Sequence, residues 1–408
     1  MDPELIKTIL TKEFSQFQGR GQPIDEEEGP RWKNLRSKLS PVFTSGKLKV
    51  MFPLMTDIGQ QLEARLRLLA AEEGAGGEVE LKDLLVRYST DVIGSVAFGI
   101  TCNSLSGESG EFHTMSREVF SRNILFLIRF FLVSVHPAFI KLMPFKSLFY
   151  KTTLFFLSLM KETIEFREKN KVDRNDLVKL MMQLREADRH ETDRFNHIEF
   201  NENVMAGQAF LFFIAGLDNI ANSVGFALHE LSLNPALQQR AVEEVRACSA
   251  RHGGLTYEAL REMELIERIM REVLRKYSPV GILTREPTST FQGTDVVVDK
   301  SVMVWIPVWQ MLHDPDLYKD PERFDPDRFT EEAKEQRHAY TYLPFGEGPR
   351  FCIAERFAIL EMKLCLAGLL DKFAFSVGHK TDLKLEFDAK VFSPTPKNGF
   401  WLKVDERR

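Results

Sequence analysis

The sequence predicts a mainly α-helical protein carrying small β-sheets. Long segments place apolar residues at three- and four-residue spacing, which is the mark of helices with one buried face. One of them, Glu202–Leu233, is apolar nearly all round in its first half, as a buried helix is. Alternating apolar segments are few and short, so sheet is a minor component.

The elements follow in order. Residues 1–14, MDPELIKTILTKEF, are charged and helical in pattern, and are neither a signal peptide nor a membrane anchor. A long helix is predicted over 52–73, closed by the turn GAGGE, and a second over 80–99, ended by Gly99. The most apolar stretch, 123–135, is too short to span a bilayer and contains Arg129. It reads as a core helix, or as a surface that dips into lipid or lines an apolar pocket. Helices follow over 147–170 and 174–187, then a charged, flexible loop over 187–197. The central helix ends near Asn234-Pro235, and Pro235 fits the first turn of the next helix, 235–254. A single helix over 256–278 stops before Pro279. Residues 290–307 alternate as a hairpin, 353–370 form a helix, and 399–404 form a terminal strand. No internal repeat or low-complexity segment occurs.

The chain has 408 residues, 44% of them hydrophobic and 28% charged, ample for a sizeable core in one long domain or two. A net charge of -5 gives no support to a nucleic-acid partner. The four cysteines, Cys102, Cys248, Cys352 and Cys365, show neither CxxC pairing nor zinc spacing, which excludes a disulfide scaffold and favours a reducing compartment.

Two segments carry chemistry. In the central helix Ala215-Gly216 brings the backbone close to whatever packs there, and Asp218-Asn219 sets an acid beside an amide. Either Gly216 permits a helix crossing and Asp218 caps a neighbour, or the helix lies over a flat ligand with both polar groups near a reacting centre. The second segment is PFGEGPRFCIAER, 344–356. Cys352 stands at a helix N-terminus, where the dipole favours an anion, with glycine N–H groups and the Arg350 cation nearby. One thiolate without a second Cys or His nearby suits a planar cofactor that supplies most of the metal's ligands. Zinc, which takes about four protein ligands in a closed site, does not fit.

FGEGPRFC resembles the heme-binding loop of the cytochrome P450 family, with Phe345, Gly348, Arg350 and Cys352 as the matches. EVLR resembles its E-x-x-R pair, Glu272 and Arg275; FDPDRF supplies Arg328; WKNLR supplies Trp32 and Arg36. The resemblance covers essentially the whole chain, and its detail is most similar to insect microsomal detoxification members. It implies a single P450 domain over 1–408, lacking the N-terminal anchor and part of the first sheet. It implies heme ligated through iron by Cys352, with Trp32, Arg36, Arg285 and Arg350 on its propionates. Ala215, Gly216, Phe345, Gly348 and Ala354, which replaces the family's last glycine, complete the heme contacts. Glu272, Arg275 and Arg328 become a buried structural ion cluster, and Arg323 a surface residue.

Asp218 and Asn219 are the implied catalytic pair, Asn219 standing where the family has threonine. The implied activity is monooxygenation: one atom of O2 enters an apolar small molecule, with electrons from NADPH through a flavoprotein reductase docked near Arg31, Lys33 and Lys38. The implied location is the cytosolic face of the endoplasmic reticulum membrane, with contact to the membrane surface. Phe210, Phe212, Phe213, Ala215, residues 280–283 and the turn at 393–400 are the implied pocket linings. The alternative is a heme or lipophile binder with little turnover, suggested by Asn219 and by the front of the chain.

Overall fold

The computed structural model describes residues 2–20, 29–74, 77–107, 110–112, 114–115, 150–188, 199–293, 296–300, 302–388, 391 and 393–407. The apolar stretch 123–135 lies outside them, as do most of the charged loop at 187–197 and residues 21–28. The fold is helical with small antiparallel sheets, as the sequence predicts.

Glu202–Leu233 is one continuous helix, started by the Asn201 side chain accepting from the Val204 N–H (3.1 Å). By length and apolarity it would pass for a membrane span. From Ile220 to Ser232, however, every residue is buried within the protein, so it is a core helix. Gly225 is the reason it can sit so deep, because a Cβ there would lie 2.3 Å from the Phe400 ring. At its N-terminal half Phe213 joins Phe98, Phe112 and Phe156 in a cluster with ring centroids 4.8 Å (Phe156–Phe213) to 6.4 Å (Phe98–Phe213) apart. Each such pair contributes about 0.5–1.5 kcal/mol beyond its buried area.

The flanking helices obey their end signals. Ser45–Glu72 is the long first helix. Leu81–Ile93 passes through a wide turn, 94–98, into Gly99, whose φ of 68° ends it. A Cβ on Gly99 would also strike the buried Arg167–Asp176 ion pair. Asn234 caps Pro235–His252, and Gly253 closes it in the left-handed region.

Two predicted elements are divided. The helix over 256–278 breaks at Met263 into Tyr257–Glu262 and Glu264–Lys276. The cause is distant in sequence: the Glu244 carboxylate accepts from the Leu265 and Ile266 N–H groups (2.8 and 2.9 Å) and supplies the second helix with its own start. The predicted hairpin over 290–307 is likewise two things. Strands β3 (Phe291–Gln292) and β4 (Val297–Val298) pair with each other. Strand β5 (Val304–Ile306) pairs instead with β2 (Leu283–Arg285), which sets Arg285 opposite Val304. The terminal strand β7 (Trp401–Glu406) lies between β1 (Glu78–Glu80) and β6 (Phe373–Ser376).

Behind the cysteine loop, Glu272 and Arg275 of Glu264–Lys276 form a doubly bonded pair (2.7 and 2.9 Å), both fully buried. Arg328 approaches Glu272 at 3.5 Å, and the Asp325 N–H donates to the same carboxylate at 2.9 Å. Arg275 also donates to the Leu312 and Pro321 carbonyls (2.8 and 2.7 Å). Arg323 is 72% exposed at its side chain, a surface residue.

Candidate active site

The loop from Pro344 to Ala354 is shaped by its two glycines, Gly346 and Gly348, at φ of 71° and 74°. The Cys352 N–H donates to the Phe345 carbonyl (2.8 Å) and closes the loop. Gly348 does a second job: a Cβ there would lie 2.0 Å from the Leu10 carbonyl oxygen, so the N-terminal segment rests directly on the loop. Replacing Gly348 with alanine is expected to cost at least about 1–3 kcal/mol, since the left-handed strain and the clash with Leu10 act together. A lowered denaturation midpoint checks this. Ala354 is different, with φ of -100°, so its methyl group meets no backbone strain.

Cys352 lines a cavity of about 470 Å³, of the size that takes a small organic ligand. Its sulfur accepts from the Ala354 N–H at the start of the Glu355–Lys372 helix. Burial nonetheless pushes the thiol up, Glu355 adds to the rise, and Ala354, Arg36 and Arg20 only oppose it. The protein by itself therefore keeps the thiol protonated; the charge of a bound metal ion is what would ionise it. Arg350, read as a cation near the sulfur, stacks its guanidinium on the Trp32 ring at 4.3 Å. Arg36 donates to the Phe351 carbonyl (2.8 Å), beside the sulfur.

Arg20, Arg285 and Arg350 all reach the cavity wall, with Phe345, Ala354, Ala215 and Gly216. Trp32, Arg36 and Gly348 do not line it and act through Arg350, Phe351 and Leu10. Arg20 was not anticipated. It is held by a backbone bridge between Gly19 and Glu286 and by the Thr284 hydroxyl donating to its carbonyl (2.8 Å). The only signal in the sequence was GRG at 19–21, an arginine freed by flanking glycines.

On the central helix, Gly216 faces the cavity and lets Ile93 close in, since a Cβ there would lie 2.9 Å from the Ile93 side chain. Asn219 lines the cavity with its amide donating back to the Ala215 carbonyl (2.9 Å). Asp218 faces away. It is ion-paired with Lys82 (2.6 Å), a lysine that also contacts Asn222, and Asn222 donates to Asp218 (3.3 Å) and to Thr395 (3.1 Å). Of the expected linings, Phe212, Ala215, Val280, Ile282 and Leu283 reach the cavity. Phe210 and Phe213 belong to the aromatic core, and Phe400 packs on Gly225 and Phe226. Lys38, expected on a docking face, is instead ion-paired with the buried Asp188.

Among the described residues no group of three or more His, Cys, Asp and Glu can hold a metal ion. A metal at Cys352 must therefore arrive with most of its ligands. The residues present fit an iron porphyrin in that respect: a single sulfur, apolar walls, and arginines at the rim for the acidic side chains of the macrocycle.

Comparison with known proteins agrees. The family model for cytochrome P450 matches residues 1–402. The chain is 38% identical to probable cytochrome P450 6a14 of Drosophila melanogaster, covering 99% of this chain and 83% of that protein. It is 36% identical to cytochrome P450 6A1 of Musca domestica (100% and 82%) and 36% identical to cytochrome P450 9e2 of Blattella germanica (100% and 83%).

Proposed function

Because the chain belongs to the cytochrome P450 family, and is accordingly a heme-dependent monooxygenase, we propose that it oxygenates apolar small molecules with electrons from NADPH delivered by a flavoprotein reductase. The observation that carries this reading is Cys352 facing an apolar cavity with arginines at its rim. When bound, the thiolate-ligated heme activates O2 and inserts one oxygen atom into a C–H bond or a double bond.

The chain's own residues hold and shield that group. Cys352 ligates the iron; Arg20, Arg285 and Arg350 hold the propionates; Trp32 and Arg36 brace Arg350 and the loop carbonyl. Ala215, Gly216, Phe345 and Ala354 form walls that exclude water. Asp218 fixes the central helix through Lys82, and Asn219 presents the only amide of that helix to the cavity among the described lining residues. The exposed Arg31 and Lys33 offer a basic face to an acidic reductase. We place the protein, as one domain, at the cytosolic face of the endoplasmic reticulum membrane, as its resemblance to microsomal members of the family implies.

Product formed from a panel of lipophilic compounds, with reductase and NADPH, tests the reading. The second reading, a heme-loaded binder with little turnover, is favoured by the Asn219 amide being tied to Ala215. Ligand-shifted spectra without product would select it. Asn219→Thr is expected to raise product per NADPH consumed, because it puts a hydroxyl, the group the family has there, in place of an amide. An unchanged ratio would remove Asn219 from the chemistry.

A further inference from the structure

The helix that follows the cysteine carries an acid that heme binding does not call for. Glu361 lies in the cavity wall, is fully buried, and neither carboxylate oxygen has a hydrogen-bond partner. Buried polar groups are normally bonded, so an orphan of this kind points to a use. Burial pushes its carboxyl well above the usual range, so it keeps its proton at neutral pH.

Two further buried protic groups interact with it electrostatically. Tyr88, on Leu81–Ile93, is fully buried with an unpartnered hydroxyl; burial raises it, and Cys365 and Glu361 add to the rise. Cys365, one helical turn beyond Glu361, is raised by burial, then by Glu361 and Glu63.

These groups sit on a stripe with a direction. Ala358, Glu361, Cys365, Gly368 and Lys372 recur every three or four residues, hence on one face of the helix. The near end, Ala358 and Glu361, lines the Cys352 cavity. The far end, Cys365, Gly368 and Lys372, lines a separate cleft of about 530 Å³ that also contains Glu63. Glu63 comes within 2.9 Å of where a Gly368 Cβ would stand. Across the Cys352 cavity, Asn219 and Ser223 lie one turn apart on the central helix.

We propose that Glu361 is a proton carrier for the oxygen chemistry of the cavity, refilled from the Glu63 cleft past Cys365 and Tyr88, and that it provides the protic side chain which Asn219 does not. This rests on the monooxygenase reading and deepens it. In each turnover the O–H bond of the Glu361 carboxyl breaks and its proton passes to an oxygen atom in the cavity, directly or through water. Solvent protons entering by Glu63 restore the carboxyl, and no electron moves at either glutamate.

Infrared spectra of the heme-loaded protein, in H2O and in D2O at neutral pH, read the carrier directly. A protonated-carboxyl C=O band that shifts in D2O and vanishes in Glu361→Gln is expected. No such band in the wild type, or one that survives the substitution, overturns the proposal. Glu361→Gln is further expected to lower product per NADPH several-fold and to change the solvent isotope effect on O2 consumption, with the reduced CO-bound spectrum unaltered. Glu63→Gln, a half-buried position that leaves the core intact, is expected to act in the same direction more weakly. Unaltered coupling and isotope effect in Glu63→Gln reject the inlet, even where Glu361→Gln does not fold. Unaltered coupling in both variants, with the CO-bound spectrum intact, rejects the carrier and leaves the enzyme reading standing. A wild type that lacks that spectrum rejects the enzyme reading, and the carrier with it.

Discussion

Cys352→Ala is expected to abolish monooxygenase turnover and thiolate ligation of heme while leaving the fold in place. The side chain removed is small, and the loop around it is set by backbone contacts that alanine retains: the bond from residue 352 N–H to the Phe345 carbonyl, the two left-handed glycines, and the seat of Gly348 on Leu10. Among the described residues that line the cavity there is no other cysteine and no histidine to replace the sulfur. Cys248→Ala is the matched control. That thiol is buried on Pro235–His252, receives a contact from Arg251 (3.2 Å), and faces away from the cavity. Its loss is expected to leave heme content and turnover unchanged. Heme content, circular dichroism and product formation, measured on both variants, check the pair. Retained turnover in Cys352→Ala would refute the ligand assignment.

Arg275→Ala carries the largest expected loss of stability. Removing one partner of a fully buried ion pair leaves the buried Glu272 carboxylate with only Arg328 (3.5 Å) and the Asp325 N–H (2.9 Å), at a cost of about 3–5 kcal/mol. Here the Leu312 and Pro321 carbonyls lose their donor as well. Against the roughly 5–15 kcal/mol by which folded proteins exceed their unfolded chains, that is a large fraction. Arg323→Ala, at a side chain 72% exposed, is expected to change stability by less than about 1 kcal/mol. Urea denaturation midpoints of the two variants decide it. A midpoint for Arg275→Ala equal to that of Arg323→Ala would show that the buried cluster is not a determinant of the fold.

Where local rules act alone, the sequence could be read. Asn201 and Asn234-Pro235 delimit the central helix, Gly99 and Gly253 end theirs, and the glycines flanking Cys352 take the positive φ they imply. The reading failed where a distant partner decides. Glu244 starts a helix twenty residues away and so splits what periodicity showed as one. β5 leaves its sequence neighbour for β2, a pairing that apolar alternation does not encode.

The same holds at the site. The cysteine, its loop and the apolar wall were legible as a motif, whereas Arg20 and Glu361 come from segments with no motif to mark them. Asp218 shows how helix geometry separates sequence neighbours: one residue is a turn of about 100°, and that turn sets Asp218 against Lys82 while Asn219 lines the cavity. The helix start and the cations near Cys352 were legible, whereas the burial that outweighs them and pushes the thiol up was not.

The central claim is that Cys352 holds heme iron as a thiolate. The spectrum of the purified chain, reduced and bound to CO, tests it most directly. A strongly red-shifted Soret band that disappears in Cys352→Ala is the result expected; folded, heme-replete protein without that band would contradict the claim.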